Sequence, residues 1–245
     1  MTKDQVYGKK VKLSEVNASS GSKFLGATLL YLTFALLITF AVVGAMGGIL
    51  TAVLEKDSVV AANTFTALMT TAIVLYIPTL IWVQISAFRN GKTVGAAFFL
   101  YSIVMGLLIS PICIVAGFLN VALALGTTCL AFALMALIAW NSKKDFSRLS
   151  VFATGLLLGL FVISLVDLII SLIIGFDPLY WIVSIGFFIV ILLLTVADLK
   201  RIQVIANNGG ATKNIALLCA LNLYVDFVYI FIRLLRLIVI VRNNR

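Results

Sequence analysis

Histidine is absent from this 245-residue chain, and only 11% of its residues are charged. The first absence removes the side chain that ordinarily titrates near neutral pH, and with it the commonest zinc ligand. It also excludes Ser-His-Asp and Cys-His catalysis. Any proton chemistry must therefore use carboxylates, lysines or tyrosines. The second absence excludes a water-soluble globular domain, in which about 25% of residues are charged. Cysteine occurs three times, at Cys113, Cys129 and Cys219, singly and without CxxC spacing. Such cysteines read as small packing residues.

What is abundant is apolar: 63% of the chain, with a mean hydropathy of +1.20. A span needs about 20 apolar residues to cross roughly 30 Å of hydrocarbon. The chain from Phe24 onward therefore holds six or seven spans with short loops, an all-α polytopic membrane protein. Residues 1–23 are polar and basic, and read as a flexible cytoplasmic tail. Residues 24–241 form the membrane domain, and 242–245 a short basic end.

Charges punctuate the apolar runs. Glu55, Lys56 and Asp57 close the first, and Arg89 and Lys92 close the second. Thr93 to Ser142 carries no charge and is too long for one helix of a small protein, so it folds back. Ser110-Pro111 through Gly117 is the expected break, because proline restricts the residue before it. Lys143, Lys144, Asp145 and Arg148 precede a fifth span, Leu149 to Phe176. The sixth is expected over Pro178 to Ala197, ended by Asp198, Lys200 and Arg201. The last apolar segment, Asn214 to Val241, carries Asp226, Arg233 and Arg236.

A net charge of +9 would suggest nucleic-acid binding in a soluble protein. Here there is no zinc finger, RNP motif or basic-aromatic stripe, and topology explains the charge better. With the N-terminus inside, 13 Lys and Arg residues fall on cytoplasmic segments and one falls outside. The other four are Arg233, Arg236, Arg242 and Arg245. Seven full spans place them outside; a last segment that dips in and returns keeps them inside. Glycine pairs at Gly44/Gly48 and Gly155/Gly159 have a spacing that suits close helix approach.

Ionisable groups at membrane depth are expensive, and so are candidate functional residues. Asp226 stands in mid-segment, where a carboxylate must be protonated, paired or hydrated. Its alternatives are a functional group and an ion pair that fixes packing. Arg233, seven residues on, lies about 10 Å up the axis and is a poor direct partner, so Asp226 looks to another helix. On charge pattern alone Asp198 is an interfacial charge beside Lys200 and Arg201. Asp167, in the fifth span, either lines a hydrated cavity or caps a neighbour. A segment with three charges cannot face lipid all round, so the last helix is expected at the centre of the bundle.

The segment LNLYVDFVYIFIRLLRLI (Leu221 to Ile238) resembles the C-terminal signature of the transmembrane Bax inhibitor motif family. Three further blocks agree and are in order: RNGKTVGAAFFLYSIVMGLLISPI from Arg89, NSKKDFSRLSVF from Asn141 and LLLTVADLKRI from Leu192. The resemblance implies six helices in two layers around a central seventh. It also implies a pH-sensitive calcium leak in a multi-pass membrane protein, here of a bacterial plasma membrane, with the N-terminus cytoplasmic. It moves Asp198 from an interfacial charge to one half of a proton-sharing pair with Asp226, with Arg89 in the same network. Asp167, Arg233 and Arg236 are accessory charges. One departure stands out: relatives can carry a glutamate about three turns before that arginine, and Ser58 to Phe88 has no carboxylate.

Two carboxylates within hydrogen-bond reach cannot both ionise cheaply, and they titrate as a pair. Such a pair replaces histidine as a pH sensor. Both ionised, Asp198 and Asp226 suit a hard cation such as Ca²⁺ as a transported ion rather than a resident cofactor. With one protonated, an Asp226–Arg89 ion pair weakens and the central helix is freed. The expected partners are thus the bilayer, calcium ions and protons, and no nucleic acid. An alternative is a regulatory protein that restrains a membrane-bound protease through the basic N-terminal tail. A proton-coupled transporter would also use buried aspartates. An enzyme is not expected, since the GxGD setting of an intramembrane aspartyl protease is missing.

Overall fold

The computed structural model describes residues 3–54, 58–89, 93–142, 146–174, 180–207 and 212–243. Seven helices account for nearly all of them: α1 Lys3–Leu54, α2 Ser58–Phe88, α3 Val94–Ala116, α4 Phe118–Asn141, α5 Ser147–Ile174, α6 Tyr180–Asn207 and α7 Lys213–Asn243. Each contains a segment long and apolar enough to cross a membrane. Among the described residues there is no strand. The backbone of α1 starts at Lys3, inside the polar segment set apart above as a tail.

Why helices tolerate so many hydroxyls at this depth is a local matter. A backbone in hydrocarbon must satisfy its polar groups internally, and so must a side chain. Thr64, Thr66, Thr70 and Thr71 of α2 each donate to the carbonyl four residues back at 2.8 Å. Their hydroxyls are thereby cancelled within their own helix, and α2 stays lipid-compatible.

Two boundaries differ from expectation, each for a visible reason. The long uncharged run does fold back, but α3 passes straight through Ser110-Pro111 and ends at Ala116. Pro111 has no N–H to give the Leu107 carbonyl; the Ser110 hydroxyl donates to that carbonyl instead, at 2.7 Å. The turn falls on Gly117 alone, at φ 80°, a conformation open to glycine. In the sixth span the helix does not stop at Ala197. It runs to Asn207, and Asp198, Lys200 and Arg201 all lie inside it.

The seventh helix is central. Leu217, Leu221, Tyr224, Val228, Phe231 and Leu235 are all buried. Their alternating spacing of four and three keeps one seam turned inward. Leu223, Phe227 and Ile230 are buried on other faces. α7 packs against α1, α2, α3, α4 and α6. Among the described residues the expected shell of six is thus a shell of five: α5 packs on α6 alone, and most of its side chains face outward. α7 is also one unbroken helix of 31 residues, about 46 Å long. By length it crosses fully, and a segment that dips in and returns is ruled out.

Close helix approach occurs at glycines other than the expected pairs. A Cβ on Gly44, Gly48, Gly155 or Gly159 would meet nothing within 4 Å. At Gly106 it would lie 2.8 Å from the Thr39 carbonyl oxygen and 2.8 Å from Val42 Cβ, and at Gly21 it would lie 2.7 Å from the Ala206 carbonyl oxygen. α1 therefore rests directly on the backbones of α3 and α6.

Candidate ion and proton site between α6 and α7

α6 and α7 are neighbours in sequence and pack together. Asp198 lies nine residues before the end of α6, and Asp226 thirteen residues into α7. At about 1.5 Å per residue, these positions are roughly 14 and 20 Å from the same end of the bundle. The two carboxyl groups act on each other electrostatically. Asp226 Oδ2 is shut off from solvent and has no hydrogen-bond partner. A carboxylate oxygen in that position costs several kcal/mol unless a proton or a cation reaches it.

Thr195, one turn before Asp198, is wholly buried and reaches the Asp226 carboxyl. Its hydroxyl also lies 2.8 Å from the Ile191 carbonyl. One hydrogen cannot serve both, so Thr195 adapts its single donor to the state of Asp226. On the other side of Asp198 is a small cavity of about 50 Å³, lined by Asp198, Arg201, Cys219 and Asn222 among apolar side chains. It is roomy enough for water. Arg201 is the cation that acts on Asp198. Lys200 points elsewhere, donating to the Ser142 carbonyl at 2.7 Å and to Gln203 at 2.8 Å.

A family model described as inhibitor of apoptosis-promoting Bax1 matches residues 21–243. The chain belongs to this Bax1 inhibitor family. An uncharacterized membrane protein of Streptococcus pyogenes serotype M1 is 30% identical over 161 residues, which is 64% of this chain and 69% of that protein.

Within this Bax1 inhibitor fold the other sequence candidates scatter. Arg89 is exposed on the turn after α2, and it is not among the groups that act on either carboxyl among the described residues. Asp167 is buried in α5. Arg233 donates to the Ser184 carbonyl on α6 at 3.0 Å, which anchors α7 to α6 above the pair. Arg236 is exposed. Among the described residues no three of Cys, Asp or Glu converge on a metal position. Two carboxylates are fewer than the six to eight oxygens that Ca²⁺ takes.

Thr195 and Asn222 escaped the sequence reading. Their signal was spacing: each is one helical turn before an aspartate, hence on its face. A second polar group had no such signal. Thr39 of α1 and Tyr224 of α7 share a hydrogen bond of 2.7 Å, and Thr39 also lies 3.0 Å from the Ser102 carbonyl of α3.

Proposed function

We propose that the chain is a pH-sensitive calcium leak in which Asp198 and Asp226 form the proton-sharing gate. One observation carries this reading: at membrane depth Asp226 has an oxygen with no partner, and the second carboxyl that acts on it lines a cavity wide enough for water. In its ionised form the pair, with Arg201 as counter-charge, holds α6 and α7 in the closed packing. A proton shared between the two weakens their hold on Arg201, loosens α7 and raises cation flux. Arg201 stands where the expected role of Arg89 as counter-charge can be filled, three residues from Asp198 on the same helix. The test is reconstitution in liposomes with an internal calcium dye. Flux should exceed that of protein-free liposomes and rise in mild acid. Flux equal to the protein-free control would remove the reading.

The proposed setting is a bacterial plasma membrane with the N-terminus cytoplasmic, supported by the distribution of basic residues, 13 on that side against Lys56, Arg242 and Arg245 on the other. A cysteine placed at residue 145 should then react with an impermeant maleimide only after the cytoplasmic side is opened. Reaction from outside intact cells would invert the topology.

A further inference from the structure

The face of α7 turned away from the carboxyl pair carries a second polar group, buried between α1, α2, α3 and α7. The Tyr224 hydroxyl is held by Thr39 at 2.7 Å, and Thr39 is itself seated on the carbonyls of Ala35 at 2.9 Å and Ser102 at 3.0 Å. Tyr224, Thr39 and Ser102 are all wholly buried. Beside them stands Tyr101, also wholly buried, whose hydroxyl acts on Tyr76 but completes no hydrogen bond. Its ring centre lies 6.0 Å from that of Tyr224 and 5.8 Å from that of Tyr76.

A buried hydroxyl without a partner costs about 1–3 kcal/mol. That cost is borne in the closed packing, and it falls on the neighbour of the tyrosine that pins the central helix. If α7 shifts, Tyr224 leaves Thr39, and Tyr101, whose ring it already meets, is the neighbouring hydroxyl side chain on α3. The lost bond is then replaced, and the orphan is satisfied. Two arrangements of one hydroxyl, each with a partner, make a bistable element of the kind that gating requires.

We propose that Tyr224 is a positioning residue that latches α7 shut through Thr39 and exchanges to Tyr101 when α7 moves, independently of the carboxyl pair. This rests on the leak reading for its flux readout. The exchange makes two single-hydroxyl deletions act in opposite directions. Thr39→Val removes the closed-state partner and favours the shifted state. Tyr101→Phe removes the shifted-state partner and also abolishes the closed-state orphan, and so favours the closed state.

The experiment measures calcium flux at one fixed neutral pH, together with the distance between spin labels on two outward positions, Leu37→Cys of α1 and Ile240→Cys of α7, with Cys113, Cys129 and Cys219 replaced by serine. Thr39→Val should raise flux about fivefold and populate a second distance, since one hydrogen bond is worth about that factor. Tyr101→Phe should lower flux about fivefold and narrow the distance distribution. Thr39→Ser, which keeps the hydroxyl, should behave as the parent. The latch is overturned if the two variants move the distances in the same direction or leave them unchanged. If the distances move oppositely while the parent carries no flux, the latch stands and the leak reading falls.

Discussion

Liposomes bearing Asp226→Asn will carry a calcium flux that no longer changes between mildly acidic and neutral pH. The substitution keeps the shape of the side chain and removes its charge. Asp198 then has no carboxylate opposite it, and the shared proton has no second site. Two unit charges about 4 Å apart interact by about 4 kcal/mol at an effective dielectric of 20. A tenfold change in an equilibrium needs only about 1.4 kcal/mol. A parental pH response on the order of tenfold should therefore collapse to near unity. The sign follows from the counter-charge: acid weakens the pair's hold on Arg201, so flux in the parent rises as pH falls, and the asparagine variant sits near the acid level throughout. Asp198→Asn should do the same, and the double variant should add nothing. Parental pH dependence retained in Asp226→Asn would reduce that residue to a packing role.

Gly106→Val should be the most damaging single change in the bundle. The new Cβ would lie 2.8 Å from a backbone oxygen of α1 and 2.8 Å from Val42 Cβ, and the added methyls need more room still. Backbone cannot turn aside as a flexible side chain can, so α1 must separate from α3. Overpacking of this kind costs about 1–3 kcal/mol for small additions, and the separation also strains the Thr39 contact with Ser102. A lower thermal midpoint in detergent and a loss of monodisperse protein are the expected readouts. Gly44→Ala and Gly155→Ala, each with open space around the new methyl, should be neutral. Equal behaviour of the three would mean that α1 and α3 do not meet as described.

These glycines also mark what the sequence could and could not say. Spans were legible because charges cluster between apolar runs, and a charge without a partner cannot stay in lipid. The same rule misplaced the end of the sixth helix. Asp198 and Arg201 sit beside each other and beside a polar cavity, so they remain inside the helix where the rule expects its end. Ser110 defeated the proline rule in the same manner, by supplying the missing bond. Glycine spacing states that a small residue recurs on one face; it does not state which face meets a neighbour. The carboxyl pair became legible through family resemblance and not through spacing, because Asp198 alone looks interfacial. Thr39 and Tyr224 are 185 residues apart, and a hydroxyl in an apolar run looks the same whether it bonds its own helix or another. Arg89 entered through the same resemblance, and the structure shows it exposed on the turn after α2.

The charges of the central helix have an electrical consequence. Asp226, Arg233 and Arg236 all lie within the crossing segment Lys213–Arg242. Any axial displacement of α7 carries them through the membrane field. A shift of one turn, about 5.4 Å of a roughly 30 Å barrier, is worth about 0.4 kcal/mol per elementary charge at 100 mV. With Asp226 ionised, the three groups carry one net positive charge; with Asp226 protonated, they carry two. Voltage therefore pulls on the helix about twice as hard with Asp226 protonated as with it ionised, which couples membrane potential to the proposed proton gate.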